Sequence, residues 1–186
     1  MQNPDLVRLM TEKAEAVAAI VSKIESVRDA FRYAIDLTVK QQGKTIVAAG
    51  LAPKDQAVLK KACDANGVAF LEFPLRPHAD KIHTSITLAD WGIAETGTLV
   101  LDSTSEDVRL ATMLAETHVA VLPGSKIKPD AIALEDELDR ILKTKTASYT
   151  AFITGASRTA DIERVLAIGV HGPQELHILI LEENDA

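Results

Sequence analysis

Thr45–Phe73 reads TIVAAGLAPKDQAVLKKACDANGVAFLEF. Thr45–Leu51 is a short apolar run with turn residues behind it, which marks a buried strand. Pro53 opens a helix, because its missing N–H costs nothing at the first helical position. That helix ends near Asn66-Gly67, and Val68–Phe73 forms a second apolar run. Strand, helix and strand this close together require a parallel pair joined by a right-handed crossover.

The same alternation continues downstream. Pro74–Lys81 (PLRPHADK) is expected to be a loop, since two prolines oppose a helix there. Trp91–Leu101 (WGIAETGTLVL) reads as two short strands joined at Glu95-Thr96-Gly97, with Gly97 able to take positive φ. Ser103 or Ser105 then caps a helix that carries Glu106 and Asp107 in its first turn. His118–Pro123 is a strand, and Pro129–Lys143 a helix with acids early and basic residues late. Thr150–Thr154 is a strand, Ala160–Ala167 a short helix closed by Gly169, and Leu176–Leu181 the last strand. The alternation defines an α/β domain, a three-layer Rossmann-like sandwich with a mostly parallel sheet covered on both faces.

Upstream, Asn3-Pro4-Asp5 has the form of a helix start. No Gly or Pro interrupts Asp5–Gln42, and apolar residues recur three or four apart from Leu6 through Ile20 and Ile24 to Val39. The expectation is one long helix, or a helical hairpin bent near Ser22-Lys23, ended by Gly43. Residues 1–43 are thus read as a helical segment packed on an α/β domain of residues 44–186, one domain overall. The overhang of so long a helix suggests a homo-oligomer contact.

Composition narrows the function. The chain of 186 residues has a net charge of −7 and no basic stripe, which argues against nucleic acid and anionic membranes as partners. No apolar run approaches the ~20 residues of a membrane span, and the charged N-terminus does not resemble a signal peptide. A cytoplasmic location is expected. Cys63 is the one cysteine, so the chain itself holds no iron–sulfur cluster, which takes about four ligands. The five His residues show no metal-ligand spacing, so no zinc site is expected. Cofactor identity stays open.

Three loops could carry chemistry. Gly155-Ala156-Ser157-Arg158-Thr159 precedes the expected helix, where free backbone amides and the Arg158 guanidinium suit a small ligand. Asp161, in that helix's first turn, disfavours a highly charged phosphate. The loop is neither a Walker A motif nor a G-x-G-x-x-G fingerprint. His171 in Gly169-Val170-His171-Gly172-Pro173 follows the helix, at the far end of the layer from Ser157, so either a turn histidine or a ligand contact is open. Glu95 in Glu95-Thr96-Gly97-Thr98 could act as acid, base or nucleophile if buried, with Arg109 as its partner. Cys63 is expected on a buried helix face.

GIAETGTLVLDS (Gly92–Ser103), ETHVAVLP (Glu116–Pro123) and TGASRTADIERVLAIGVHGPQELHILIL (Thr154–Leu181) resemble the LUD domain of the lactate-utilisation protein C family. The resemblance is strong over Ile82–Leu181 and loose before it. It implies a NagB/RpiA/CoA-transferase-like fold and a role beside iron–sulfur proteins in the oxidation of L-lactate to pyruvate. The positions it carries over are Glu95, Thr96, Gly97, Thr98, Gly155, Ser157, Arg158, Thr159, Asp161, His171, Gly172 and Pro173. A cluster-free subunit or accessory protein is the expected role. The alternatives are a free-standing enzyme resembling CoA transferases or formyltetrahydrofolate cyclo-ligases, and a small-molecule sensor on the same fold.

Overall fold

A computed structural model describes residues 2–144, 148–158, 160–162, 165–167 and 172–182. The elements run α1 (Pro4–Ala16), β1 (Ala19–Ile24), α2 (Val27–Lys40), β2 (Thr45–Ala49), α3 (Pro53–Ala65), β3 (Ala69–Phe70), β4 (Thr84–Leu88), β5 (Trp91–Ile93) and β6 (Thr98–Asp102). They continue with α4 (Glu106–Leu114), β7 (Thr117–Pro123), β8 (Ile127–Lys128), α5 (Glu135–Thr144), β9 (Thr150–Thr154), β10 (Ala160–Ile162), β11 (Val165–Ala167) and β12 (Glu175–Leu181).

The central sheet has the order β1-β12-β7-β4-β2-β3, and every pairing in it is parallel. From β2 the chain goes to β3 on one side and then to β4 on the other, so the winding reverses between β2 and β4. One face is covered by α2 and α3, whose Phe31, Ile35, Leu59 and Cys63 pack on Ile46, Ile86, Val119 and Leu179. The other is covered by α1, by α4 and by a second, mixed sheet of order β8-β5-β6-β9. Leu99 and Leu101 of β6 close that side over Leu122, Ile178 and Ile180. Each such fully buried side chain contributes about 1.5–3 kcal/mol. The three layers and the parallel sheet are those read from the sequence.

The N-terminal reading is corrected. There is no long helix or helical hairpin over Asp5–Gln42: a strand divides the segment. Helix α1 stops where Ala18 takes a left-handed φ of 65°, and β1 then pairs with β12 from Ala19↔Leu176 to Ile24↔Leu181. Ile20, Val21 and Ile24 are β-branched and suit a strand. A new helix begins at Ser26, whose hydroxyl accepts from the Asp29 amide and donates to the Asp29 carboxylate. This Ser-x-x-Asp box is a start signal that the apolar periodicity masked. The expected start of α1 is observed: Asn3 Oδ1 accepts from the amides of Asp5 and Leu6 at 3.0 and 3.4 Å. Asn3→Ala is therefore expected to cost about 1 kcal/mol, read as a Tm drop of about 2–4 °C.

Four smaller corrections follow. Arg76–Lys81 forms a 3-10 helix, which tolerates Pro77 in its first turn where an α-helix interior would not. The strand expected over Val68–Phe73 shrinks to β3. The helix expected from Pro129 begins at Glu135, after a 3-10 turn at Ile132–Leu134. The helix expected over Ala160–Ala167 is absent: β10 and β11 pair antiparallel, with Ile162 opposite Val165. An eight-residue helix is marginal, and β-branched residues at those positions favour a strand. Strand β4 was not read from the sequence at all. Its Thr84, Ser85 and Thr87 are polar yet buried at the sheet's centre.

Cys63 sits on the buried face of α3, and burial, with Asp64 nearby, pushes its thiol up to about 11. Among the histidines, His177 Nδ1 lies 2.8 Å from the Tyr33 hydroxyl and its Nε2 2.9 Å from Glu175. His118 Nε2 lies 2.7 Å from the Thr87 hydroxyl inside the core.

Candidate functional site

Two of the loops singled out in the sequence meet in space. Strands β5 and β6 form the expected hairpin, and β6 pairs antiparallel with β9, setting Thr98 opposite Thr154. A row of hydroxyls runs Thr96–Thr98–Thr154 with two contacts of 2.7 Å. The Glu95–Thr98 turn therefore lies beside the start of the Gly155 loop.

Packing explains both glycines. Gly97 has φ 64°, and a Cβ there would lie 2.3 Å from the Ala14 amide nitrogen. Gly155 has φ 72°, and a Cβ there would lie 2.1 Å from the Val17 carbonyl oxygen. The end of α1 and its link to β1 thus rest directly on the backbone of both loops.

The Glu95 side chain is exposed, and its amide donates to the Pro129 carbonyl at 3.0 Å. The burial that would suit it to acid–base or nucleophilic work is missing. Its expected partner lies elsewhere: Arg109 donates to the carbonyls of Ser103 and Thr104.

The Gly155–Arg158 loop opens no helix, so the expected row of free helical amides is not there. One amide is already used: Ser157 N donates to the Pro173 carbonyl at 2.8 Å. A Cβ on Gly172 would come within 3.4 Å of Ser157 Cβ, so these two predicted residues are brought together. Arg158 is exposed. Asp161 lies in β10; Thr159 and His171, and Gly169 with them, lie outside the described residues.

The loop instead forms one wall of a cleft of about 600 Å³. Thr154, Gly155, Ala156 and Ser157 line it, with Gly172 and Pro173 beside them. Ser103, ahead of α4, and Arg109, Thr112 and Met113 of α4 also line it. Ser148, Tyr149 and the exposed Phe152 complete the lining named here.

Arg109 is held by several elements. Its Nη1 donates to Ser103 O at 2.6 Å and Thr104 O at 2.8 Å, and its Cζ lies 5.3 Å from the Tyr149 ring centroid. Cation–π contact at that range is attractive. Tyr149 is tied in turn: its carbonyl accepts from the amide and hydroxyl of Ser103, and its amide donates to Thr104 Oγ1. Sequence reading placed Arg109 with the wrong partner and missed Ser103 and Tyr149 as its supports. Nothing local signals a site drawn from three separated segments.

Among the described residues the lining holds hydroxyls and one guanidinium and no carboxylate. A smaller cleft of about 250 Å³ lies where the winding reverses, outside the carboxyl ends of β2 and β4. Position alone favours it as a ligand site. Its polar lining includes Asp90 and Asp102 beside Thr87 and Thr104, which repels anions. The two clefts flank the same Asp102–Ser105 segment and differ in charge. Among the described residues no three of His, Cys, Asp and Glu are grouped to hold a metal, and no helix is long and apolar enough to cross a membrane.

A family model described as the LUD domain matches residues 7–181. The chain is 32% identical over 111 residues to Lactate utilization protein C of Bacillus licheniformis, covering 56% of this chain and 45% of that protein. It is 32% identical over 107 residues to the Bacillus subtilis protein of the same name, covering 56% and 45%. For the Halalkalibacterium halodurans protein of that name the identity is 34% over 107 residues, covering 56% and 46%. The match thus spans less than half the length of these relatives. The crystal structure of a DUF162 family protein from Deinococcus radiodurans superposes with TM-score 0.64 over 96% of this chain and 97% of that one. At 17% identity it supports the fold.

Proposed function

The chain belongs to the LUD domain family, and from that premise we propose that it serves lactate utilisation. It acts as a cluster-free subunit or accessory protein in the cytoplasm, beside iron–sulfur proteins that oxidise L-lactate to pyruvate. The observation that carries this reading is the 32–34% identity to proteins named Lactate utilization protein C.

The chemistry supports a division of labour. Oxidation of lactate to pyruvate releases two electrons and two protons, and the electrons need a carrier. With Cys63 as its one thiol, buried in α3, this chain does not hold a cluster. Electron transfer then falls to partners, and this chain supplies a binding or assembly surface. The exposed Glu95 lends no support to a free-standing CoA-transferase-like enzyme.

Deleting the gene is expected to abolish growth on L-lactate as carbon source while leaving growth on glucose intact. An anaerobic pull-down with the full chain is expected to retrieve cysteine-rich iron–sulfur proteins. Unimpaired growth of the deletion strain on lactate would overturn the reading.

A further inference from the structure

Resting on that reading, we propose that Arg109 anchors the carboxylate of a small α-hydroxy or α-keto monocarboxylate in the cleft between α4 and the Gly155 loop. Lactate and pyruvate are the smallest members of this class.

The chain carries −7 overall, and several of its described cations are ion-paired. Arg76 pairs with Glu106, Lys128 with Glu137 and Lys23 with Glu182. Arg109 forms no close ion pair among the described residues, although its charge helps to hold the Glu106 carboxyl low. Its two hydrogen bonds both leave Nη1 and both end on neutral carbonyls. Nε and Nη2 have no hydrogen-bond partner among the described residues. A guanidinium fixed along one edge by backbone oxygens and across its face by an aromatic ring has lost little freedom still to lose. Its remaining edge offers two donors in the fork that matches a carboxylate.

The surroundings set the class of ligand. Among the described residues no Asp or Glu lines the cleft itself. No second cation among the described residues lines it either, which fits one negative charge better than a phosphate or a dicarboxylate. Ser103 and Ser157 both line the cleft: the Ser103 hydroxyl, which donates to the Tyr149 carbonyl, can still accept from an α-hydroxyl, and Ser157 supplies a second hydroxyl for the α-oxygen. Met113 and Ala156 provide apolar surface for a short alkyl group. The acidic cleft at the reversal of winding is unsuited to the same molecule.

The test is calorimetric titration of the full chain with L-lactate, pyruvate and the uncharged isostere lactamide. Lactate and pyruvate are expected to bind saturably, and lactamide at least tenfold more weakly. Arg109→Gln is expected to weaken lactate at least tenfold and to leave lactamide unchanged, whereas Arg32→Gln on α2 alters neither. Equal binding of lactate and lactamide to the unaltered chain, or undiminished lactate binding by folded Arg109→Gln, would overturn the proposal. Absence of saturable binding by either acid would do the same. The first comparison needs no substitution, so it stands even where Arg109→Gln does not fold. The growth assay above reads the lactate role independently. A growth defect without acid binding sinks the anchor alone, and acid binding without a growth defect sinks the lactate role alone.

Discussion

Gly155→Ala is expected to lose about 2–5 kcal/mol of stability, read as a Tm drop on the order of 10 °C. Two costs add. At φ 72° a side chain pays about 1–2 kcal/mol for the left-handed conformation. The new methyl would also sit 2.1 Å from the Val17 carbonyl oxygen, a backbone atom that cannot rotate away. The link from α1 to β1 must then shift, and forced repacking of this kind costs about 1–3 kcal/mol. Gly97→Ala is expected to behave alike, since its methyl would meet the Ala14 backbone at 2.3 Å. Gly67→Ala is the control: its φ is 69°, yet nothing lies within 4 Å of the new methyl. It keeps the conformational cost alone. If chemical denaturation finds Gly155→Ala no less stable than Gly67→Ala, the seating of α1 on this loop is wrong.

Acid is the second large lever. His118 is wholly buried, and burial, with His177 adding a smaller repulsion, lowers its imidazole from 6.5 to about 4. Above pH 6.5 the ring is neutral both folded and unfolded, and titration costs nothing. As pH falls from 6.5 toward 4 the unfolded chain takes up the proton and the folded one refuses it. Folded stability drops by about 3 kcal/mol over that window and the loss levels off below it. Carboxylates titrate in the same range, so the measurement is a difference. Urea midpoints at pH 7 and pH 4 are compared for the unaltered chain and His118→Leu. The variant leaves the Thr87 hydroxyl unpaired at both pH values, an offset that cancels. It is expected to lose about 3 kcal/mol less on acidification; parallel losses would show that His118 is not the buried neutral group described.

Much of the fold was legible because its signals are local. The strand–helix–strand pattern of Thr45–Phe73 needs no distant information, and Gly97 marks its own hairpin. The failures have one cause. Ala19–Ile24 shares its apolar spacing with a helix, and only pairing with β12 makes it a strand. Thr84–Leu88 carries hydroxyls where a buried strand usually carries aliphatics, and their partners lie on other elements: Thr38 for Thr84 and His118 for Thr87. For the site, the sequence words identified the two loops that meet at Thr98 and Thr154. They did not reveal that the glycines seat α1. Nor could they reveal the Arg109–Tyr149 arrangement, whose parts lie 40 residues apart in the chain.

The pairing of β1 with β12 orders events in time. During synthesis β1 has no neighbour in the sheet until β12 emerges, after every other strand of that sheet. Loop closure over that span is entropically slow. Until then β1 is without its mate, and its sequence carries a helical periodicity. The sheet is complete only when β12 docks between β1 and β7.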